Sequence, residues 1–318
     1  MQLFSDMLSY FPTPLEDELL YSVLARYACD RSFKTSHAQR SILLGRPSLF
    51  ITYDLPRRIN YLTSILPPGC SHTADGFINL NTMFPFYSAS LAPERVIAAR
   101  QSMREEITRS THRTWIKQFS SERISFLRYC PICFQEDVER HGFAFWHRSH
   151  HFPALDICTI HQVWLEDSEV SIRATKQEFV AAEAAIPMVC DARPLDLTDR
   201  DVAALLTLAK DAVWVLHKEN LYIGAQIIRE RYFNLLQVEE SEFSKGVKWY
   251  YRNRPTLYDS YGEVVFDKLG LKLGNPPGRD WLRWLSEFER SASHQSLSTI
   301  IHLLILRFLG LSPANFSD

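Results

Sequence analysis

Cys130-Pro131-Ile132-Cys133 and Cys158-Thr159-Ile160-His161 are two turns of matched spacing separated by 24 residues. Two residues between donors let one tight turn aim both side chains at a single ion. Two such turns supply the four ligands of a closed tetrahedral zinc site, built from thiolate sulfur and imidazole nitrogen. The intervening residues suffice for a short β-hairpin, giving a zinc ribbon or finger. Alone, such a segment buries too little apolar surface to hold its fold without metal. A redox reading of the CxxC needs a strand opening onto a helix and has no use for the second pair. A catalytic zinc keeps one coordination position open, whereas four protein donors close this one. His147, His150 and His151 lie between the pairs and could substitute for a ligand, but the knuckle pairs already complete the set and these are read as surface or packing residues. Trp146 is read as a cover for the knuckle.

Composition sets the frame around this segment. The chain has 318 residues, 46% of them hydrophobic, enough for two or three modest domains with real cores. Three of six cysteines fall at ligand spacing, which in a reducing compartment points to metal rather than disulfides. Cys29, Cys70 and Cys190 are scattered and read as buried small apolar residues. No run reaches the roughly 18 to 20 apolar residues of a membrane span, and the N-terminus lacks a signal-peptide pattern. A cytoplasmic location and no membrane partner are expected.

The net charge of −2 excludes coating of nucleic acid by bulk charge, but the cations are unevenly placed. Arg26 to Arg58 holds seven Lys/Arg against two acids, and Arg100 to Arg128 seven against three. Candidate phosphate contacts are Lys34, Arg40, Arg46, Arg57 and Arg58, then Arg128 and Arg148 in the cysteine segment. A third patch is Lys245, Lys248, Arg252 and Arg254, interleaved with Trp249, Tyr250 and Tyr251. Any single cation reads first as part of a solvated face over core aromatics, while at least one of the three patches is expected to touch DNA. Arg26 reads as a structural partner of Glu18 or another acid.

The remaining pattern is mainly α. Thr13-Pro14-Leu15-Glu16 reads as a capping box opening a first helix. Ser36 caps a second helix that stops at Gly45, and Asp54 a third. Three short helices suit a helix-turn-helix, and any small bundle equally. Pro93 to about Lys117 reads as an amphipathic helix and Ile124 to Tyr129 as a strand. Val170 to Pro194 reads as a linker. Thr198 then caps a helix, followed by helices over 225–236, 241–251, 258–269, 279–289 and 296–309. The expected domains are a helix-turn-helix bundle over 1–120, a zinc-binding domain over 121–170 and a helical, helix-turn-helix-like domain over 195–318.

Three ordered blocks resemble the TniQ/TnsD family of transposon target-selection proteins. The first is Phe11-Pro12-Thr13-Pro14, Glu18-Leu19-Leu20-Tyr21-Ser22 and Ala25-Arg26. The second is Thr82-Met83-Phe84-Pro85-Phe86-Tyr87. The third runs from Arg128-Tyr129-Cys130-Pro131 through Gly142, Phe145-Trp146, Arg148 and Pro153-Ala154-Leu155 to Cys158 and His161. The blocks look closest to the TnsD branch and depart from it at His150, where that branch has an aromatic. Members of that branch continue well beyond residue 318, which implies a short member or a truncated chain. The resemblance implies a non-enzymatic selector that binds a double-stranded attachment site and recruits the AAA+ ATPase TnsC, with TnsA/TnsB engaged indirectly. The TniQ-type alternative is an adaptor between an RNA-guided CRISPR effector complex and TnsC, with little DNA contact of its own. A zinc hydrolase ranks last, since neither HExxH nor a carboxylate pair is present.

Overall fold

The computed structural model describes residues 7–33, 35–105, 124–172, 178–218, 230–232, 234, 257–269 and 299–314. They are mainly helical, with two small antiparallel sheets. In chain order the elements are α1 (Leu20–Asp30), α2 (Ser36–Leu44), α3 (Ile59–Ser64), α4 (Ala74–Leu80), α5 (Phe84–Ser88) and α6 (Pro93–Arg104). There follow β1 (Phe126–Tyr129), α7 (Pro131–His141), β2 (Ile157–Cys158), β3 (Val163–Trp164), β4 (Glu166–Ser171) and α8 (Ala182–Ala185). The last three are α9 (Arg200–His217), α10 (Leu257–Leu269) and α11 (Thr299–Phe308). Residues 1–85 and 97–195 form one compact unit, residues 86–96 and 196–318 a second.

In the first unit α1 is the central element. Leu20, Tyr21, Ser22, Val23, Leu24, Ala25, Tyr27 and Ala28 are all buried, so the helix is covered on nearly every side. It starts at Leu20, six residues after the proline expected to open it. Glu18, fully buried, is the reason. Its carboxylate accepts the Leu15 N–H at 2.9 Å and two bonds from Arg26, at 2.9 and 2.7 Å. The chain turns at Asp17 through a left-handed φ of 59°. The first N–H groups of α1 find tertiary partners in place of a side-chain cap. Leu19 N–H donates to Trp146 O at 3.0 Å and Leu20 N–H to Asn81 O at 2.6 Å.

The second helix forms as expected, with Thr35 rather than Ser36 as its cap and Gly45 at the left-handed stop. The third opens at Arg58, itself left-handed, and not at Asp54, whose carboxylate accepts the Leu55 N–H. In the stretch 170–194, expected as a linker, the described residues pack within the first unit. Phe179, Ala181, Ala182 and Ile186 are buried, Tyr21 Oη donates to Glu178 O, and Pro194 bridges Val163.

In the second unit, α9 is capped by Asp199, whose carboxylate accepts the Asp201 and Val202 N–H groups. Thr198, the expected cap, instead donates its hydroxyl to Asp196. Arg307 clasps Asp211 with two bonds of 2.6 Å, and Tyr261 Oη donates to Leu304 O. The helix α10 breaks at Gly262, whose φ of 76° and ψ of 174° no helix shares. The helices expected over 241–251 and 279–289, and most of that over 225–236, lie outside the described residues, as does the end of the helix expected to reach Lys117. No helix among the described residues is long and apolar enough to cross a membrane.

Candidate metal centre

Each turn of the cysteine segment is built by its own backbone. Cys130 sits in extended conformation at the head of α7, with Pro131 at the first helical position, where a missing N–H costs nothing. Its sulfur accepts the Cys133 N–H at 3.5 Å. Gly142 ends α7 in left-handed conformation, φ 78°. The second turn joins β2 to β3. There the His161 N–H points to Cys158 Sγ at 3.5 Å, and Gln162 takes a positive φ of 54° to close the hairpin.

The two turns converge. The sulfurs of Cys130, Cys133 and Cys158 and one ring nitrogen of His161 lie within 4.8 Å of one another. His161 Nδ1 stands 3.5, 3.3 and 3.6 Å from the three sulfurs in that order, and Cys133 Sγ stands 3.8 Å from Cys158 Sγ. Zinc–sulfur bonds of about 2.3 Å and a zinc–nitrogen bond of about 2.0 to 2.1 Å, set tetrahedrally, give edges of about 3.8 Å and about 3.5 Å. The donor set therefore fits a zinc-sized ion in both chemistry and dimensions. Packed this closely, the sulfurs do not ionise independently. Hydrogen bonds from its two neighbours push Cys158 down toward thiolate, while Cys133 is pushed well up. A divalent cation removes that conflict, and binding one releases protons.

The surroundings orient the donors. His161 Nε2 faces Glu136 Oε1 at 3.2 Å, which leaves Nδ1 for an ion. Between the turns, the three histidines serve different ends. His147 bonds Asp137 at 2.8 Å and faces Asp17 at 3.5 Å. Burial opposes its charging, but the bonds to Asp137 and Asp17 outweigh that and hold it up at about 9. His151 donates from Nδ1 to His147 O at 2.7 Å and accepts the Arg128 N–H on Nε2 at 3.2 Å, which fixes its tautomer. Buried His150 points Nε2 at Cys133 Sγ, 3.6 Å away. Trp146, fully buried, donates from its ring to Val180 O and from its main chain to Ser22 Oγ.

The expected phosphate contacts divide. Arg128 and Arg148 are buried, 6% and 2% exposed, which removes them from the surface. Arg128 donates to Phe152 O at 2.6 Å. Arg148 donates to the Thr82, Leu80 and Asn79 carbonyls and so closes the C-terminal end of α4. Arg46 is exposed. Arg40 is half-buried with a bond to Pro47 O, Arg57 is half-buried, and Arg58 lies over the Tyr61 ring at 4.9 Å. Lys34, Lys245, Lys248, Arg252 and Arg254 lie outside the described residues. The scattered cysteines are not core residues. Cys29 is exposed, and Cys70 and Cys190 are half-buried. Asp17, Asp137, Glu136 and Ser149, all engaged around the histidines, carried no signal in the sequence, because their partners lie 10 to 132 residues away.

The helical elements around α1 and the Cys3His knuckle belong to one compact unit. The chain matches the TniQ family model over residues 9–165, just under half of its length. It is 27% identical over 154 residues to the transposon Tn7 transposition protein TnsD of Escherichia coli. That match covers 48% of this chain and 30% of the relative, so the likeness spans under a third of the relative's length.

Proposed function

We propose that the chain is a target-site selector of a transposon. It would recognise a double-stranded attachment site and recruit the AAA+ regulator TnsC, through which the TnsA/TnsB transposase is engaged. The match of residues 9–165 to the TniQ family carries the reading, with the TnsD relative in support. Cys130, Cys133, Cys158 and His161 would hold one zinc ion as a structural cross-link. Four protein donors leave it no open position for substrate, so the domain recognises and does not catalyse. The DNA-facing surface is assigned to Arg46, Arg57 and Arg58 around a helix-turn-helix formed by α2 and α3, and to Lys245, Lys248, Arg252 and Arg254. Footprinting across genomic fragments tests this: a protected, sequence-defined site supports it. Binding that is salt-sensitive but indifferent to sequence overturns it.

The burial of Arg128 and Arg148 favours a second reading, because it leaves the knuckle with fewer cations to offer DNA. In that reading the chain is an adaptor between an RNA-guided effector complex and TnsC. Failure of the isolated protein to shift any duplex, with TnsC binding intact, selects the adaptor. Weakened duplex binding in Arg46→Glu or Lys248→Glu selects the selector.

A further inference from the structure

The three sulfurs of the knuckle are not equivalent in their hydrogen bonding. In each turn the backbone aims one N–H at the first donor. Cys133 N–H points to Cys130 Sγ and His161 N–H to Cys158 Sγ, each at 3.5 Å. Cys133 is the second donor of its turn, and the turn offers it no such group. In its place stands His150, Nε2 at 3.6 Å from Cys133 Sγ, on a side chain that the protein buries almost completely and that also engages Cys158. His150 lies outside the set of four converging donors. It is fixed by the turn at 148–150 and packs against His147 in a tilted arrangement, ring centroids 4.7 Å apart.

We propose that His150 is the positioning residue for the Cys133 thiolate: it donates Nε2–H to the sulfur that its own turn leaves without a donor. A zinc ion with three thiolates carries a net negative charge in a buried site. Donated hydrogen bonds spread that charge and reduce the readiness of each sulfur to take a proton or an electrophile. The role rests on the zinc reading above, and it places His150 as a support for a ligand.

Competition against a chromophoric chelator with the full chain is the test. His150→Phe keeps the ring and loses the donor, and should bind zinc about 10- to 100-fold more weakly. His150→Gln retains an N–H donor and should recover most of the loss. Alkylation of the zinc-loaded protein should speed up at Cys133 in His150→Phe, with Cys130 little changed. Equal affinity and equal Cys133 reactivity in wild type and His150→Phe overturn the proposal. If His150→Phe fails to fold, the zinc-loaded wild type still decides. Nitrogen NMR must find His150 as the Nε2–H tautomer, and the Nδ1–H tautomer overturns the proposal. A wild type that binds no zinc overturns the metal reading and this role together. A zinc-binding wild type with unmoved variants overturns this role alone.

Discussion

Arg148 Nε donates to the carbonyl of Thr82 at 2.9 Å, across 66 residues of sequence. The same guanidinium takes the Leu80 and Asn79 carbonyls at 2.6 and 3.1 Å, all with the side chain buried. A lysine carries the charge but cannot fan donors across three carbonyls in one plane. Arg148→Lys should therefore cost about 3 kcal/mol, through acceptors left without partners in the interior. Urea unfolding checks this. A loss under about 0.5 kcal/mol would mean that the site relaxes around an ammonium.

That bond also shows what was and was not legible beforehand. The ligand turns could be read from the chain because each is local: two intervening residues dictate the geometry. The stop of α2 at Gly45 was legible for the same reason, but the hairpin expected between the two pairs was not found there: α7 follows the first pair, and the hairpin of β2 and β3 closes over the second. The arginine role was not. A cation in a knuckle sequence looks like a phosphate contact until the carbonyls of α4, about 68 residues away, are brought beneath it. The onset of α1 was misread likewise, because Glu18 answers to Arg26 and Leu15 and not to a capping rule. The order of the three sequence blocks was legible, and the contacts explain it. Trp146 N–H on Ser22 and Arg148 on Thr82 join block to block, and Asn81, just ahead of the second block, bonds Glu18 O in the first.

His147, wedged between Asp137 and Asp17, makes stability depend on pH. Held up at about 9 in the folded protein, it returns to about 6.5 on unfolding. Its contribution is therefore fully present below about pH 6.5 and is lost as pH rises through about 9, on the order of 3 kcal/mol in all. Urea midpoints should fall between pH 6.5 and pH 9.5, and His147→Gln should flatten that fall. An identical slope in the variant would place the titration elsewhere.

Gly45 ends α2 with φ 63°, and a Cβ there would lie 2.6 Å from the Tyr61 ring. Gly69 also has positive φ, 87°, but nothing stands within 4 Å of its Cβ position. Gly69→Ala should cost about 1 kcal/mol, the price of a left-handed alanine alone. Gly45→Ala should cost about 2 to 3 kcal/mol by adding the collision. Truncating the ring in a Gly45→Ala, Tyr61→Ala double variant should bring the glycine penalty down to the Gly69 value. Equal melting shifts for the two single variants would contradict the close approach.

Metal removal should reach beyond the knuckle. Val163 and Leu165 are the aliphatic side chains fully buried among the cysteines, with Ile132 and Ala192 packed at the edge. Two such side chains contribute roughly 3 to 6 kcal/mol, while each ordered residue costs about 1 to 2 kcal/mol of backbone entropy. The turns therefore need the cross-link that a metal supplies. Wild type should purify with about one zinc per chain, and Cys158→Ala with none. Chelation should speed amide exchange over β1 to β4, and also in α1, because Leu19 N–H rests on Trp146 O and Trp146 N–H on Ser22 Oγ, each at 3.0 Å. Acid should act as a chelator does, since thiolates that regain protons release the ion. Faster exchange confined to residues 126–165 would show that the helical layer holds the 144–151 loop without help from the metal.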